Sequence, residues 1–500
     1  MPGAGPSLLD AEHRRMTAGV VLVVSFVAFE AIGVATAMPA VLRHLGGVRL
    51  YGWAFSAFML AQLVGTVVSG PVLDRVGLRA PLTVAAVLFC TGLLIGGTAP
   101  SMLALVLGRA VQGAGAGVLG VTVNVAVGRG YPPSLRPRAY AALSTAWVVP
   151  GVVGPLVAGV VAQDLTWRLV FLGLVPAVAA GTAVARSALR AVDRPGPGGE
   201  GAPAGAGRRS AILAVVLAAG TALVLGALGT HRLVPALVLG ALGLALAGPA
   251  LAGVIPGRAG RALPRLGRPV PAAGPRQLGA MVVAALANAS FFGTEAFLPL
   301  ALTSLHHRNL AEAGVVLTVA SLSWTAGSWV QAHTVERVGP RLLSGAGLAL
   351  VALGVAGVAA LDWSATPWWT AFCAWGVAGG GMGLAYTTTT LVVVSGAGEG
   401  RQGGPVSAMQ VLVTLGVASG AGVGGAALAW SVALGHGKAP GLRLFDGVAV
   451  LVALAGLLAC SLVPRAVPPG TPAPAAPGAG ASPPGAPETG RAGEGEGIGF

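Results

Sequence analysis

Two glutamates and one arginine lie inside apolar stretches, where ionisable side chains are rare. Glu30 is near the middle of the first hydrophobic run, Glu295 lies in a later run, and Arg109 opens the segment Arg109-Ala-Val-Gln112-Gly113. An ionisable group buried in hydrocarbon is costly, so such groups usually face a cavity and serve a function. A carboxyl removed from water can take up and release a proton as its access to water changes. We therefore predict proton coupling by Glu30 and Glu295.

Each of these residues also has a purely structural interpretation. A glutamate can be permanently hydrogen-bonded between helices, and an arginine near a helix end can extend its guanidinium to the membrane surface. Because arginine keeps its charge, a buried Arg109 must find a carboxylate, a carbonyl or water, and Glu30 is a candidate partner. We expect the other fourteen of the sixteen acidic residues to lie in turns, loops or tails, where water solvates them.

The composition is that of a polytopic membrane protein. Of the 500 residues, 55% are hydrophobic and only 9% are charged, and the mean hydropathy is +0.81. Roughly a quarter of the residues of a soluble domain are charged. The three cysteines lie in apolar runs without metal-binding or disulfide spacing. No nucleotide-binding loop, metal-spaced cluster or nucleophile motif occurs, so we expect no enzyme activity, no cofactor and no metal.

Apolar runs of about twenty residues, long enough to cross a bilayer, predict an all-α protein with fourteen membrane helices in groups of six, two and six. The last run lies near 446–464. The expected segments are a cytoplasmic N-terminus at 1–16, an N-terminal six-helix bundle at 17–187, a linker with two additional transmembrane helices at 188–276, a C-terminal six-helix bundle at 277–464 and a disordered cytoplasmic tail at 465–500. If the two middle helices were merely peripheral, a count of twelve transmembrane helices would give the same arrangement of charges.

Charge distribution predicts the orientation. With fourteen helices, 22 of the 30 Lys and Arg fall on the face that carries both chain ends, and seven fall on the other face. Positive charge marks the cytoplasmic side of a membrane protein. We therefore expect a multi-pass plasma-membrane protein with both termini in the cytoplasm. The net charge of +14 needs no nucleic-acid partner to explain it.

A charged turn between two hydrophobic runs occurs twice, and the copies are 262 residues apart. The first copy contains Gly70, Asp74, Arg75, Gly77 and Arg79, and the second contains Glu336, Arg337, Gly339 and Arg341. A repeat of this length in apolar helices indicates two related halves of a transporter. The charges are predicted to latch the cytoplasmic ends of the bundles in one state. The alternative is that they merely anchor a turn at the headgroups.

Two further patterns lie within the predicted helices. The fifth helix combines bending prolines with close-packing glycines at Pro150, Gly151, Gly154, Pro155 and Gly159. This pattern can also be no more than a tight helix contact. Candidates for a substrate cavity are Gln62, Trp147 and Trp324, of which Gln62 and Trp324 occupy equivalent positions of the repeat. A tryptophan face suits lipophilic cations, although ordinary packing is an equal alternative.

Together these patterns resemble the major facilitator superfamily, and within it the fourteen-helix drug:proton antiporters. The turn from Gly70 to Arg79 is similar to the family's signature loop between helices two and three. Matches to the fourth-helix motif are Arg109, Gln112, Gly113 and Gly117, and matches to the exporters' fifth-helix motif are Gly151, Gly154, Pro155 and Gly159. The first helix departs from the family pattern, since it has Glu30 in place of an aspartate and lacks the usual Thr and Asn.

The resemblance implies two six-helix bundles that rock about a central site and expose it alternately to each face. It also implies a part for Arg109 in proton transfer. The expected function is proton-coupled efflux of small amphipathic compounds, such as drugs or secondary metabolites, and hence antibiotic resistance. The expected partners are a small-molecule substrate, protons and the lipid bilayer, and we expect a monomer. Alternatives are a transporter of the same fold for sugars, amino acids or lipids, and a non-transporting membrane scaffold or sensor.

Overall fold

The structure is a computed structural model of the chain. It describes residues 8, 10, 13–132, 134–193, 206–230, 232–254, 274–363, 365–396 and 403–466. The predicted disordered tail lies outside these residues beyond position 466, as do most of the two basic loops beside the middle helices. Within the described residues there are fourteen helices long and apolar enough to cross a membrane.

The described residues form fourteen long helices. The first six are α1 (Arg14–Leu45), α2 (Trp53–Val76), α3 (Arg79–Gly97), α4 (Met102–Gly130), α5 (Arg136–Val160) and α6 (Arg168–Leu172 and Leu174–Ala188). The middle pair are α7 (Ala206–Leu228) and α8 (Leu233–Val254). The last six are α9 (Pro275–Ser304), α10 (Leu310–Val338), α11 (Pro340–Ala360), α12 (Thr370–Ser395), α13 (Gly403–Ala433) and α14 (Ala439–Ala459). The predicted fold class is therefore confirmed.

Local sequence explains several helix starts. Ser101 accepts a hydrogen bond from the backbone N–H of Ala104 at 3.3 Å and so caps α4. Asn309 and Glu312 form a reciprocal capping box at the start of α10. Helices α5, α9, α11 and α14 each have a proline in the first turn, where its missing N–H costs nothing.

The start of the last helix differs from our prediction. We placed this helix near 446–464, but α14 begins at Ala439 and ends at Ala459. Pro440 begins the helix early, and its first two turns carry the polar side chains Arg443 and Asp446. Hydropathy alone excludes such polar turns from a helix, which explains the error.

The two groups of six helices repeat one packing scheme. In the first group, α2 and α3 both pack on α4, and α1 packs on α5; in the second, α10 and α11 both pack on α12, and α9 packs on α13. Glycines at matching positions mediate these contacts. A Cβ on Gly65 would lie 2.3 Å from the Ala114 oxygen, and one on Gly327 would lie 2.3 Å from the Gly380 oxygen. The internal repeat in the sequence therefore corresponds to a structural repeat.

The middle helices lie against both groups of six. Helix α7 packs along α8 and also contacts α2 and α13. Leu217 and Ala214 of α7 share a buried cluster with Leu63 of α2 and Val411 of α13. The apolar sides of α7 therefore cover the seam between α2 and α13, while α8 is largely exposed on its other sides.

An even number of spans places both chain ends on one face, which we call the terminal face, and the helix turns at 46–52, 161–167 and 305–309 on the other, the far face. Among the described residues, the hydrogen bonds that join the first six helices to the last six lie near the far face. Ser56 donates to the Ala418 oxygen at 2.7 Å, and Tyr51 donates to the Ala296 oxygen at 3.2 Å. At the opposite ends of these helices, Val72 and Val406 are exposed. These hydrogen bonds therefore join the two groups of helices at the far face.

Candidate functional site

Glu30 and Arg109 form a buried ion pair in the first group of helices. Glu30 of α1 has no exposed surface, and Arg109 of α4 is 2% exposed. The Arg109 Nη1 donates to Glu30 Oε1 and, at 2.8 Å, to Oε1 of Gln112. The candidate contact between Glu30 and Arg109 is thus present. The other carboxylate oxygen, Oε2, has no hydrogen-bond partner among the described residues.

The Arg109 guanidinium is held on its remaining sides by α2. Its Nε donates to the Ala54 oxygen at 3.0 Å, and its Cζ lies 4.1 Å from the centroid of the Phe58 ring. A buried cation needs such acceptors, because the loss of water is otherwise uncompensated. The aromatic face adds a cation–π contact. The alternative of an arginine that extends to the membrane surface therefore does not apply.

Glycines on α4 make this arrangement possible. A Cβ on Gly113 would lie 2.1 Å from the Phe58 oxygen, and one on Gly117 would lie 2.2 Å from the Gln62 oxygen. These separations are too short for any side chain, so α4 can approach α2 only with glycine at both positions. The close approach brings Arg109, one turn before Gly113, within reach of the Ala54 carbonyl and the Phe58 ring.

Glu295 lies on α9 and is in a different situation from Glu30. Its side chain is half-buried, and no ion pair or hydrogen bond to its carboxyl is found within the described parts of the chain. Pro299 follows one turn later in the same helix. The structure does not bring Glu295 and Glu30 into contact. One carboxyl is therefore paired and enclosed, and the other is unpaired and partly accessible.

Aromatic side chains cluster in the turn of α9 before Glu295. The Trp324 ring of α10 lies 5.6 Å from Phe291, 6.0 Å from Phe292 and 6.0 Å from Tyr386 of α12. Phe291 stacks on Trp375 at 4.5 Å. We singled out Trp324 from the sequence and missed the others, because contiguous aromatic residues in an apolar helix carry no signal of their own.

The other two cavity candidates do not join this cluster. Trp147 is 49% exposed and takes part in none of the ring contacts of the described residues. Gln62 is half-buried on α2. The Gln62 carbonyl oxygen would lie 2.2 Å from a Cβ on Gly117. In the second group, the Trp324 carbonyl oxygen would likewise lie 2.2 Å from a Cβ on Gly383. The structural equivalence of Gln62 and Trp324 is therefore confirmed, whereas any role in binding stays a prediction.

The first signature turn is held by an aspartate that we did not single out. Asp193 follows α6, and its Oδ1 accepts hydrogen bonds from the backbone N–H groups of Leu78 and Arg79 at 2.9 and 3.0 Å. Gly77 has a φ of +77°, and a Cβ there would lie 2.6 Å from the same oxygen. The side chain of Asp74 lies outside the described residues, Arg75 is exposed, and no atom lies within 4 Å of a Cβ on Gly70.

The second copy of the turn is held at the equivalent position by backbone carbonyl groups. Arg341 Nε donates to the Val463 oxygen at 2.8 Å, and a Cβ on Gly339, whose φ is +85°, would lie 2.3 Å from the Arg465 oxygen. Glu336 and Arg337 are exposed. Each turn therefore contacts the segment that follows the sixth helix of its own group, through a carboxylate in the first copy and through carbonyls in the second.

The glycines of α5 face two different neighbours. A Cβ on Gly154 would meet the Phe29 ring of α1 at 3.4 Å, whereas one on Gly159 would lie 2.5 Å from the Leu310 oxygen of α10. Gly151 faces Ser321 of α10 at 3.3 Å. The Pro155 oxygen lies 2.3 Å from a Cβ on Gly314, which is also on α10. This segment therefore forms a tight contact between the two groups of helices near the far face.

The expectation that all acids except Glu30 and Glu295 are solvated is wrong at two positions. Asp446 lies inside α14 and is 3% exposed, and Asp362, just after α11, is 2% exposed. Burial raises the pKa of the Asp362 carboxyl to about 7. Hydropathy placed the start of the last helix at Asp446. Helix α14 in fact begins at Ala439 and therefore contains Asp446. Within the described residues, no group of three or more His, Cys, Asp and Glu side chains could hold a metal ion.

Comparison with known proteins identifies the family. The profile described as Major Facilitator Superfamily matches residues 20–421, which is most of the chain. The chain belongs to the major facilitator superfamily. It is therefore a multi-pass membrane protein of a transporter family rather than of an enzyme family.

Superfamily relatives match over shorter regions. An uncharacterized MFS-type transporter of Schizosaccharomyces pombe is 33% identical over 153 residues, which cover 31% of this chain and 26% of that protein. A probable multidrug-efflux transporter of Mycobacterium tuberculosis is 30% identical over 186 residues, which cover 37% of this chain and 39% of that protein. The chain thus matches well under half the length of these relatives.

Solved superfamily structures share the fold over nearly the whole chain. A bacterial homolog of the human lysosomal transporter Spinster, in an inward-facing and occupied conformation, superposes with a TM-score of 0.62 at 15% identity. The match covers 92% of this chain and 97% of that one. The POT family transporter PepTSo gives a TM-score of 0.64 at 15% identity and covers 89% and 98%. At this level of identity, the likeness concerns the fold alone.

Proposed function

We propose that this transporter is a fourteen-helix drug:proton antiporter, which exports small amphipathic compounds by exchange for protons. Access to the substrate site alternates between the two faces as the bundles at 17–187 and 277–464 rock about the middle of the membrane. The observation that carries this proposal is the enclosed Glu30–Arg109 pair in α1 and α4. An ion pair buried in the membrane interior is costly to maintain and is typical of ion and proton pathways.

The pair supplies a way to couple a proton to a change of shape. When Glu30 is charged, it neutralises Arg109; when Glu30 binds a proton, the guanidinium loses its counter-ion and keeps the Ala54 carbonyl, the Gln112 oxygen and the Phe58 ring. Protonation therefore weakens the link between α1 and α4. Because Glu30 is enclosed in this structure, we expect it to exchange its proton in another state of the cycle.

Glu295 and the aromatic cluster around Trp324 are the proposed site for the cargo. An unpaired carboxyl beside aromatic rings suits an amphipathic molecule with a positive charge, since the rings supply apolar and cation–π contacts. The carboxyl can then hold either a proton or the cation, and this competition is the basis of exchange. The printed name of the Mycobacterium tuberculosis relative, a probable multidrug-efflux transporter, agrees with such a cargo.

The direction of transport follows from the orientation of the chain. The terminal face carries most of the Lys and Arg, so we place it in the cytoplasm and place the far face outside the plasma membrane. In this orientation the transporter takes up cargo from the cytoplasm. The close contact between α5 and α10 keeps the outer face closed meanwhile. The charged turns, of which the first is held by Asp193, then latch the cytoplasmic ends of the two bundles in the state that is open to the outside. The chain works as a monomer.

Transport by everted membrane vesicles tests this proposal. An imposed pH gradient, acid inside, should drive the accumulation of a fluorescent lipophilic cation in vesicles that contain the wild-type protein. The Glu30→Gln variant should lose gradient-driven accumulation. Glu312→Gln serves as a matched control, because Glu312 lies at the surface in a pair with Arg308. Accumulation of sugars or amino acids instead of the cation would reject drug efflux, and equal accumulation by Glu30→Gln would reject its role in coupling.

A further inference from the structure

A pair of buried carboxyl groups lies at the far face. Asp362 belongs to the turn between α11 and α12, and Asp446 lies on the second turn of α14. The Asp362 backbone accepts hydrogen bonds from Arg443, one turn before Asp446, so the two carboxyl groups are neighbours. Neither oxygen of the Asp362 carboxyl has a hydrogen-bond partner among the described residues, although both are shielded from water.

The charged groups around the pair do not neutralise it fully. Arg443, one turn before Asp446, is directed at the backbone of Asp362: its Nη2 and Nε donate to the Asp362 carbonyl oxygen at 2.9 and 3.2 Å. Its Cζ lies 5.1 Å from the centroid of the Trp363 ring. Arg443 is itself exposed to solvent. One partly solvated cation therefore faces two enclosed acids.

Two further titratable groups are close by and serve other partners. His306, in the turn between α9 and α10, has its Nε2 2.6 Å from the Leu361 oxygen. Lys438, at the start of α14, has its Nζ 3.5 Å from the Ser304 hydroxyl oxygen. The pair therefore lies where three elements of the second bundle meet: the α9–α10 turn, the α11–α12 turn and α14.

Two adjacent buried carboxylates repel each other and lack water, so one of them retains a proton and donates it to the other as a hydrogen bond. We propose that Asp362 and Asp446 form a second proton-binding site, which holds one shared proton and fastens the α11–α12 turn to α14 at the far face. Loss of the proton leaves two facing negative charges and loosens this junction. The site is separate from the proposed coupling of Glu30 to transport and does not depend on it.

The sign of the pH dependence follows from the Asp362 pKa. An unfolded aspartate titrates near about 3.9, whereas burial raises the pKa of Asp362 to about 7. The folded protein therefore binds the proton more tightly than the unfolded chain. Its contribution to stability is complete below the unfolded value and is lost as the pH rises toward and through about 7.

Thermal unfolding of the full-length protein in detergent tests the proposal. The wild-type melting temperature should fall between about pH 5 and about pH 8. Asn has the shape of a protonated aspartic acid, so Asp446→Asn and Asp362→Asn should each flatten this fall and melt above the wild type at the higher pH. Asp164→Asn, an exposed acid at the same face, should behave like the wild type.

A second measurement does not depend on the folding of the variants. Infrared spectra of the wild type across the same pH range should show a carboxylic acid band that disappears near neutral pH. Either Asn variant should lack this band. A wild type without the band, Asn variants with the full pH dependence of the wild type, or Asn variants less stable at every pH would each overturn the shared proton. The last result would mean that both groups work as charged carboxylates.

Discussion

At the scale of single residues, one guanidinium serves three oxygen acceptors and an aromatic ring. Arg109 contacts Glu30, Gln112, the Ala54 carbonyl and Phe58. Only the contact with Glu30 removes a charge from the membrane interior. Removing one member of a buried pair leaves the other uncompensated, and this is far more costly than removing both. The contribution of the pair to stability therefore appears when variants are combined.

We expect Arg109→Gln to destabilise the protein by roughly 3–5 kcal/mol, because it leaves the Glu30 carboxylate buried without a cation. The double variant Glu30→Gln/Arg109→Gln should recover much of this loss, since no charge then remains at the site. Unfolding in detergent at a fixed pH measures both effects. If the losses of the two single variants simply add in the double variant, the pair makes no net interaction and the account of this site is wrong.

Residue chemistry could be predicted where a buried charge requires a partner and was missed where a residue looks ordinary in the sequence. The pairing of Glu30 and Arg109 followed from the need of a buried arginine for an acceptor. Asp193 carried no signal, because its partners, the N–H groups of Leu78 and Arg79, are more than a hundred positions earlier in the chain. Asp362 resembled an ordinary turn residue, since its burial arises only when α14 packs over it.

Asp193 gives a second prediction at this scale. It takes the place of a side-chain cap at the start of α3, where Leu78 itself provides none. Asp193→Ala should lower stability by about 1 kcal/mol, and Asp193→Asn, which keeps an acceptor, should lose less. Asp164→Ala is a suitable control, because Asp164 is exposed. Unfolding measurements on the three variants compare these effects; equal values for Asp193→Ala and Asp164→Ala would contradict the capping role.

At the scale of helices, close contacts through glycine determine how the elements meet. The contact of α4 with α2 places the charged site, and the contact of α5 with α10 closes the far face. Helix number and type were predictable from runs of apolar residues, because crossing the bilayer demands them. The beginning of α14 was not, since its first two turns are polar. The sequence also showed that α5 packs closely, but not that its partner belongs to the other bundle.

Gly159→Ala tests the contact between α5 and α10. The added Cβ would lie 2.5 Å from the Leu310 oxygen, so the two helices must separate, at a cost of roughly 1–3 kcal/mol to the closed far face. Ser56→Cys, buried at this face, reports the change through its labelling rate with a membrane-impermeant maleimide. Faster labelling in Gly159→Ala is the expected result.

A matched control lies on α4. Gly120→Ala adds the same atom where nothing lies within 4 Å of it, and should leave the labelling rate of Ser56→Cys unchanged. Equal rates in the Gly159 and Gly120 variants would mean that the α5–α10 contact does not keep the far face closed.

At the scale of the whole molecule, contacts between the described residues of the two repeated bundles lie near the far face. The hydrogen bonds from Ser56 and Tyr51 join them near the far face, and helix α7 covers the seam between α2 and α13. The repeat in the sequence predicted two related halves. It could not predict where the halves meet, because a repeat describes each half and not the contacts between them.

Cross-linking tests whether the far face must open during transport. In a protein whose three native cysteines are replaced by alanine, Ser56→Cys and Ala418→Cys should be joined by a short thiol cross-linker, since the Ser56 hydroxyl lies 2.7 Å from the Ala418 oxygen. The joined protein should transport nothing, and cleavage of the linker should restore transport. A control pair, Val72→Cys with Val406→Cys, lies at the exposed ends of the same two helices and should not be linked. Undiminished transport by the joined protein would exclude alternating access at this face.

Proton release on cargo binding tests the central claim most directly. In weakly buffered detergent solution, addition of tetraphenylphosphonium to the purified wild type should release protons, because the cation and the proton compete for the transporter. Release should fall in Glu30→Gln and in Glu295→Gln and disappear in the double variant, while Glu312→Gln should match the wild type. Cation binding without proton release, or undiminished release from the double variant, would contradict coupling through these two carboxyl groups.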